Sequence, residues 1–510
     1  MPRLIRRRWV PPGARVVRVA ATLGSAVARW WWWERSRPDG SSRARLSRRL
    51  RLAFEQLGPT YIKLGQILSS GEGLFPDEVV QEFSRLRDQV PAEPFGVVRH
   101  IVEEDLGRPL AEVFRSFDPE PVAAASIAQV HTATLVGGER VVVKVQRPAV
   151  GRLVRHDLAV MSWLAPLLVG RIPVAALGNP PALVELFADT IVEELDFRLE
   201  ADSMLAVAAV LADTGQQALV VPRPHPQLVT PRVLVMERMD GFAWGDTAAL
   251  RDAGIDTAAV LHAALLAFLE GVLLYGVFHG DLHGGNLLVG RDGRVALLDF
   301  GITGRLGETR RLAFLRLMMA TTANDVTGQV EALRDVGALP GDVDIAAVIR
   351  DLNLDRPPLD PITATAEELT EVIRDLARAL LGYGARMPKE LMLFVKDMLF
   401  LDGAMALMAP DIDILSEIVN IIVYFHEHHG ERIARDIGLD PTAAPVVDLS
   451  GIRASLGVAD SDGLTYRELQ QRRELIRRRL EQHDARRQRR QRRRGGPRRG
   501  EHRSSGATPG

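Results

Sequence analysis

The 510-residue chain contains no cysteine, which excludes disulfide bonds, thiolate metal sites and a cysteine nucleophile together. It also lacks a run of about 18 apolar residues free of charge, and this absence argues against a membrane-spanning helix. Hydrophobic residues make up 46% of the chain and charged residues 25%. This balance supports a large packed core and predicts a folded protein of about three domain-sized units.

Lysine is the second scarce residue. Of the 64 basic residues only Lys63, Lys144, Lys389 and Lys396 are lysines, and the others are arginines. A compact ammonium and a planar guanidinium bind their partners differently. Positions that stay lysine in such a chain are therefore candidates for sites that arginine cannot serve.

The net charge of −1 hides an uneven distribution. Residues 1–51 carry a net charge of +12 and residues 466–510 a net charge of +11, whereas residues 52–465 carry −24. Basic ends suggest contact with the phosphates of anionic lipid or nucleic acid. Four consecutive tryptophans, Trp30 to Trp33, lie among the arginines of the first segment and are typical of an arm at a membrane interface. A basic arm that is disordered or packs on a partner is the alternative.

Hydrophobic periodicity predicts helices over residues 43–106 and 182–213, and again over most of the chain beyond Asp246. Between the first two of these regions, Val122–Leu135 and Arg140–Gln146 are expected to form strands joined by a turn at Gly137 and Gly138. Two further short strands are predicted at Leu219–Val221 and Val233–Glu237. A small lobe that contains strands, followed by a larger helical lobe, is the outline of an α+β, protein-kinase-like bilobal fold.

The predicted domains follow this outline. They are a basic, Trp-rich arm (1–42), a helical extension (43–110), an N-lobe with inserted helices (111–240), a helical C-lobe (241–440), and a linker with an arginine-rich tail (441–510). For the tail we expect a solvated, disordered segment of low complexity, within which 466–487 could form a charged helix. The apolar stretch Leu391–Leu415 is interpreted as a core helix, with an isoprenoid-binding surface as the alternative.

The strongest chemical signal is the segment FHGDLHGGN at 278–286, followed by LDFG at 298–301. An Asp, an Asn five residues later and Asp-Phe-Gly thirteen residues after that form the catalytic-loop and metal-loop pattern of kinase-like enzymes. Asp281 is the predicted carboxylate near the attacking oxygen. Asn286 and Asp299 supply the oxygen ligands that Mg²⁺ prefers. His283, where protein kinases commonly carry lysine, either touches the phosphates or caps the loop.

A nucleotide also needs a cation and a binding loop. Lys144, on an apolar strand, matches the phosphate-binding lysine of kinases, and Glu200 is its predicted carboxylate partner. The hinge backbone at Glu237 and Met239 would meet adenine. The loop that should be glycine-rich is alanine-rich instead, so ATP or ADP must be gripped differently. Its predicted nucleotide-binding residues are Ala123, Ala124, Ala125, Ser126 and Gln129.

Taken together, these motifs resemble the UbiB/AarF family of atypical kinase-like proteins over roughly residues 50–440. The family shows a K-x-G-Q motif, an alanine-rich A-S-I-A-Q-V-H loop, an E-x-D motif, an H-G-D-x-H-x-x-N loop and a metal-binding D-F-G. In this chain they stand at Lys63–Gln66, Ala123–His131, Glu194–Asp196, His279–Asn286 and Asp299–Gly301.

The resemblance implies a helical extension that carries Lys63 and Gln66 on one helix face, folded over the active site to meet Glu194 and Asp196. These four residues are the expected regulatory set. Such occlusion disfavours protein phosphorylation and leaves Mg-dependent ATP binding and ATPase activity. The resemblance further implies support of isoprenoid quinone or lipid metabolism by a cytoplasmic protein peripheral to the inner membrane face, with an anionic membrane or isoprenoid lipid as partner.

Two other functions stay open. A small-molecule phosphotransferase shares this style of catalytic loop, but it lacks the motifs at Lys63 and Glu194. A scaffold that uses nucleotide only to control binding of lipid or partner proteins is the second alternative. Nucleic-acid binding by the arginine-rich tail is not the expected function.

Overall fold

The computed structural model describes residues 13–35, 42–69, 77–86, 91–168, 180–354, 382–385, 388–438 and 463–494, with a few single positions between them. The chain divides into two compact units. Unit 1 comprises Met1–Leu312 and Met387–Met408, and unit 2 comprises Ala313–Arg386 and Ala409–Gly510. All predicted site residues lie in unit 1. The domain boundaries given above stay predictions.

The helices of the described chain are α1 (Gly13–Arg29), α2 (Ser42–Leu57), α3 (Pro59–Ser69), α4 (Asp77–Phe83), α5 (Phe95–Leu106), α6 (Leu110–Val113), α7 (Val150–Leu168), α8 (Pro180–Glu193), α9 (Phe197–Asp213), α10 (Thr247–Asp252), α11 (Thr257–Glu270), α12 (Glu308–Thr322), α13 (Val326–Val336), α14 (Ile345–Asp351), α15 (Lys389–Met408), α16 (Ile414–Ile437) and α17 (Tyr466–Arg494). Short π-helical turns follow α1 at Trp30–Glu34 and α11 at Gly271–Tyr275.

The strands are β1 (Phe114–Phe117), β2 (Ala123–Ala124), β3 (Ala128–Leu135), β4 (Arg140–Gln146), β5 (Leu219–Val220), β6 (Pro224–Val229), β7 (Val233–Glu237), β8 (Phe242–Ala243), β9 (Val277–His279), β10 (Leu287–Val289), β11 (Val295–Leu297) and β12 (Thr303–Arg305). They form an antiparallel sheet in the order β1-β3-β4-β7-β6 with β2 beside β3, a second sheet in the order β5-β11-β10-β8, and the pair β12-β9. This mixture of helices with antiparallel sheets agrees with the predicted kinase-like α+β fold.

Strand β4 shows how the sequence pattern positions the site. Val141, Val143 and Val145 are buried in one core with α5, because alternate residues of a strand face the same side. Lys144 therefore projects from the opposite face, and it lies opposite Leu234 of β7 in the antiparallel register. The predicted bounds of β4 and β7 are confirmed.

The strand predicted over Val122–Leu135 was too long. A turn separates β2 from β3, and within it the Ala125 amide donates to the Ala128 carbonyl at 2.8 Å. The hairpin turn between β3 and β4 is confirmed. There, Gly138 adopts a φ of +88°, which is unfavourable for residues that carry a Cβ atom.

The N-terminal arm and the extension share one core in unit 1. Val16 and Val19 of α1 pack in the same cluster as residues of α2, α3, α4, α7 and α8. Arg15 also forms a 2.7 Å ion pair with the buried Asp157 of α7. The described part of the arm is therefore packed on its own chain, whereas Trp31, Trp32 and Trp33 remain 54%, 73% and 65% exposed.

Gly65 explains the glycine of the K-x-G-Q motif. A Cβ atom at this position would lie 2.2 Å from Leu86 Cδ1 and 2.8 Å from Phe83 Cδ1. Only a residue without a side chain allows α3 to approach these neighbours so closely. The glycine therefore serves packing, and this packing sets the position of Lys63 two residues earlier.

In the described part of the chain one helical stretch, Thr257–Tyr275, is long and apolar enough to cross a membrane. Glu270 interrupts its apolar run, so the stretch contains no charge-free run of about 18 residues. An 18-residue segment of the stretch is 78% buried inside the protein. That burial is typical of a core helix, so its length and composition are weak evidence for a membrane span.

Unit 2 has a small core of Val330, Leu339 and Val348. Its arginine-rich α17 runs from Tyr466 to Arg494. The possible helix over 466–487 is thus confirmed and longer than predicted, and the expectation of an unstructured tail was wrong for this segment. Of the stretch predicted as a core helix, Leu391–Leu415, residues 391–408 lie in α15 of unit 1, which buries Leu391, Leu393, Phe394 and Leu401, whereas Leu415 belongs to α16.

Candidate active site

His279 supports the backbone of the catalytic loop. This residue is buried, its Nε2 lies 3.0 Å from the Leu298 carbonyl, and its Nδ1 accepts the Asp281 amide at 3.1 Å. Burial lowers the pKa of His279, which keeps the ring neutral as Nδ1 acceptance requires. Asn286 Nδ2 donates to the Asp281 carbonyl at 3.1 Å and closes the loop. Hence the side chain of Asp281 is presented by a loop with a fixed backbone.

The metal loop is joined to the N-lobe through Lys144. Its Nζ lies 2.8 Å and 3.0 Å from the two carboxylate oxygens of Glu200 and 3.1 Å from Asp299 Oδ1. Burial would raise the pKa of Asp299, but Lys144 and Lys63 outweigh it and hold that pKa well below its usual range. Asp299 also adopts a φ of +56°, a left-handed conformation that is uncommon outside glycine. The predicted lysine–glutamate partnership is therefore present in the structure.

Asn286 and Asp299 fit a magnesium site. Both offer hard oxygen donors, and Asp299 Oδ2 is not the oxygen bound by Lys144. Among the described residues no group of three His, Cys, Asp or Glu side chains is arranged to hold a metal. A magnesium ion that is bound by one or two protein oxygens together with substrate phosphates does not need such a group.

The extension brings a second lysine to the site. Lys63 Nζ lies 2.9 Å from Glu194 Oε1, and both side chains are largely buried. Burial acts to lower the pKa of Lys63, but the charges of Glu194 and Asp281 outweigh it and raise that pKa. A Cβ atom on Gly301 would lie 3.5 Å from Glu194 Cγ, so this pair packs beside the metal loop.

Asp196 does not take part in this pair. It caps the N-terminus of α9, where its Oδ1 accepts the Arg198 amide at 3.1 Å, and it forms a 2.6 Å ion pair with the Arg198 side chain. The expected meeting of Lys63 and Gln66 with both acids is thus seen for Lys63 and Glu194, while Asp196 shapes the start of the helix that carries Glu200. Gln66 lies half-buried on α3.

The alanine-rich loop is fixed rather than open. Ala123 and Ala124 pair with β3, and Ser126 is buried. Arg147 Nε donates to the Ala125 carbonyl at 2.8 Å, and its Nη1 lies 2.9 Å from Glu93 Oε1. Arg147 therefore anchors the turn of this loop. A mobile glycine-rich loop has no such arginine contact in its sequence pattern.

Gln129 is placed differently from the prediction that it contacts nucleotide. Its side chain is buried, its Oε1 accepts the Glu93 amide at 2.8 Å, and its Nε2 lies 2.8 Å from His131 Nε2. Gln129 therefore stabilises the loop through Glu93 and His131. The hinge residues lie at the end of β7, where Glu237 pairs opposite Val141 and Met239 is half-buried.

Two functional residues were missed by the sequence motifs. Lys396 Nζ of α15 forms an ion pair with Asp281 Oδ1, and the next residue, Asp397, accepts the Leu282 amide at 2.9 Å. Asp397 is fully buried, and burial raises its pKa to about 8. The scarcity of lysine was the available signal, because three of the four lysines lie in this site.

His283 caps the catalytic loop, as one of its two predicted roles requires. Its Nδ1 accepts the Gly285 amide at 3.1 Å, while its Nε2 lies 3.9 Å from Asp281 Oδ2.

The site therefore combines Asp281, Asn286 and Asp299 with the ammonium groups of Lys63, Lys144 and Lys396. Carboxylates and amides that can hold a metal, beside several cations that can neutralise phosphate, are the chemistry of phosphoryl transfer.

Comparison with known proteins shows which domain family the chain resembles. Residues 85–333 match the model of the ABC1 atypical kinase-like domain. Two Mycobacterium tuberculosis proteins, MT0675 and Rv0647c, are each 38% identical over 372 residues, covering 71% of this chain and 75% of theirs. The aarF domain-containing protein kinase At5g05200, chloroplastic, of Arabidopsis thaliana is 32% identical, with coverage of 72% and 73%.

A probable protein kinase UbiB of Marinobacter nauticus is also 32% identical, with coverage of 72% of this chain and 68% of its own. Among solved structures, the complex of Rv3197 with erythromycin from Mycobacterium tuberculosis aligns at 24% identity with a TM-score of 0.40. That alignment covers 64% of this chain and 89% of the other.

Proposed function

Because this chain belongs to the ABC1 atypical kinase-like family, which includes proteins named UbiB and aarF domain-containing protein kinase, we propose that it binds ATP or ADP with Mg²⁺ and hydrolyses ATP. We further propose that this activity supports isoprenoid quinone or lipid metabolism at the cytoplasmic face of the inner membrane.

One observation carries the ATPase proposal. Lys144, held at 2.8 Å by Glu200, lies 3.1 Å from Asp299, so the nucleotide cation and the metal-holding carboxylate of a kinase-like site meet directly. Lys144 is therefore already bound by two carboxylates before any ligand arrives. A bound nucleotide would add phosphate charge, for which Mg²⁺ supplies the offsetting positive charge.

The hydrolysis step needs few protein groups. The oxygen of a water molecule forms a bond to the terminal phosphorus of ATP. The bond from that phosphorus to the bridging oxygen breaks, and its electron pair stays on ADP. Asp281 orients the water and receives the proton that the water loses. Lys144, fixed by Glu200, supplies positive charge beside the phosphates.

The Lys63–Glu194 pair favours hydrolysis over phosphorylation of a protein. It places two largely buried charged side chains and the packed helix α3 beside the metal loop, at Gly301. A peptide substrate would need that space, whereas water does not. The same contact disfavours a bulky small-molecule acceptor.

The membrane part of the proposal is supported by the arm. Trp31, Trp32 and Trp33 are exposed at the end of α1, and the Arg35 guanidinium lies 4.0 Å from the ring centroid of Trp31. Exposed tryptophans beside arginines suit the interface of an anionic bilayer, where each basic residue near the surface contributes roughly 1 kcal/mol. The basic charge of residues 1–51 fits the same surface.

The test is ATP hydrolysis by the purified protein, with and without anionic liposomes, for the parent and for Asp299→Asn. We expect turnover that liposomes stimulate and that Asp299→Asn removes. Asp292→Asn is the matched control, because Asp292 is an exposed aspartate that forms its ion pair with Arg294 near the β10–β11 turn. Nucleotide binding without hydrolysis would favour the scaffold, and transfer of phosphate to a soluble alcohol would favour the small-molecule phosphotransferase.

A further inference from the structure

Lys396 occupies an unexpected place for a residue of α15. Its side chain is 20% exposed, and its Nζ contacts Asp281 Oδ1 and lies 3.4 Å from the Gly280 carbonyl oxygen. It thus approaches the predicted catalytic carboxylate from a helix that begins more than a hundred residues later in the chain.

The catalytic loop has no permanent cation of its own. His283 stands where protein kinases commonly carry lysine, and its Nδ1 is occupied by the Gly285 amide. Its side chain is 52% exposed, and its nearer approach to Asp281 is 3.9 Å. The loop therefore depends on another element for a fixed positive charge beside Asp281.

The neighbouring residue fixes this charge in place. Asp397 is fully buried and accepts the Leu282 amide at 2.9 Å. Consecutive residues of α15 therefore bind consecutive residues of the loop. Lys396 contacts the side chain of Asp281, and Asp397 accepts the backbone amide of Leu282. A shift of α15 relative to the loop would break both contacts.

The other lysines are paired with acids that lie outside the catalytic loop. The three N–H groups of the Lys144 ammonium have three acceptors, two on Glu200 and one on Asp299. Lys63 is paired with Glu194, and Lys389 forms a 3.3 Å ion pair with the exposed Glu193. Among the residues that the structure describes, Lys396 has two acceptors for three N–H groups, which leaves one for a ligand.

We propose that Lys396 contacts the terminal phosphate of ATP and supplies from α15 the cation that the catalytic loop lacks. The proposal rests on the proposed ATPase function. In the hydrolysis step the water oxygen bonds to the terminal phosphorus as the bond to ADP breaks, and Lys396 keeps all three of its protons. It neutralises the phosphoryl oxygens while holding Asp281 toward the water.

The experiment compares Lys396→Met with the parent in binding of Mg-ADP and of Mg²⁺ with a non-hydrolysable ATP analogue. A contact to the terminal phosphate alone predicts a loss of about tenfold or more in affinity for the analogue, with ADP affinity nearly unchanged. Lys389→Met is the matched control, since it removes a lysine from the same helix whose partner lies outside the site. It should bind both nucleotides like the parent.

Lys396→Met leaves Asp281 without its cation, so folding needs a separate check. Asp281→Asn removes that unpaired carboxylate, so it serves as a second background. The double variant Asp281→Asn/Lys396→Met should bind the ATP analogue less tightly than Asp281→Asn does, with ADP affinity nearly unchanged. ATP turnover should also fall in Lys396→Met and recover partly in Lys396→Arg.

An equal loss for ADP and the analogue, or no loss for either, would overturn the role of Lys396 and leave the proposed function standing. A parent protein that binds neither nucleotide would overturn both.

Discussion

The two lysine–glutamate pairs of the site are nearly equal in length and differ in what holds them. Lys144 projects from β4, which is paired on both sides, and meets Glu200 on α9 at 2.8 Å. Lys63 projects from the short helix α3 and meets Glu194, which follows α8, at 2.9 Å. The first pair is held by a central strand of the sheet, whereas the second depends on the packing of an added extension.

This difference gives the two lysine–glutamate pairs different roles. The sheet-held pair is suited to a fixed role beside nucleotide, because its lysine cannot move without disturbing β3 and β7. The extension-held pair can be weakened by loosening α3 alone, and it lies beside Gly301 of the metal loop. We infer that Lys144 serves binding and chemistry, and that Lys63 controls access.

The largest effect that would separate the pairs is expected from Lys144→Met. Loss of its charge beside the phosphates should reduce ATP turnover by about 100-fold or more. Lys63→Met should change turnover far less, because its lysine lies beside the site rather than against the phosphates. Equal losses in the two variants, measured side by side by phosphate release, would contradict the comparison.

Lys63→Met should instead act on stability. It leaves Glu194 buried without its cation, and we expect a loss of about 2 kcal/mol in the free energy of unfolding near pH 8. Denaturant titration measures this loss. The double variant Lys63→Met/Glu194→Gln should recover much of it, and a double variant as unstable as the single one would show that the pair itself is unimportant.

Gly65→Ala tests whether the packing of α3 fixes the position of Lys63. The added methyl group would meet Leu86 and Phe83 at distances that no real contact shows. Overpacking of this kind should cost about 1–2 kcal/mol in the free energy of unfolding. Gly24→Ala is the control, because a Cβ atom there meets no atom within 4 Å. If both alanines are equally tolerated, α3 is free to shift and Lys63 is not fixed by it.

The smallest effect is a pH dependence. Burial raises the pKa of Glu194 to about 7, although Lys63 opposes the shift. The folded protein therefore binds a proton more tightly than the unfolded one, and this contribution to stability is lost as the pH rises through about 7. Between about pH 6 and about pH 8 the parent should lose roughly 1 kcal/mol more stability than Glu194→Gln. Parallel pH profiles for the two proteins would contradict this assignment.

Motif spacing predicted the residues that lie close together along the chain. Asp281, Asn286 and Asp299 share one short segment, and Lys144 could be placed by the alternation of valines around it. Glu200 was harder, since 56 residues separate it from Lys144, but the helix that carries it was visible in the periodicity.

The residues that sequence reasoning missed or misplaced act through contacts that no local pattern encodes. Lys396 reaches Asp281 across 115 residues, so no motif joins them. Asp196 caps its own helix and Gln129 binds its neighbours in the loop, where a motif shows only that the residues are present. In the fold, β6 was missed because Pro224 and Pro226 obscure the strand pattern.

Equilibrium binding of ATP and ADP to the purified protein, in the presence and absence of Mg²⁺, distinguishes the roles of the two lysines. We predict saturable binding that requires Mg²⁺ and that is lost in Lys144→Met and Asp299→Asn but kept in Lys63→Met. Binding that ignores Mg²⁺ and survives both substitutions, or no binding by the parent protein, would contradict this prediction.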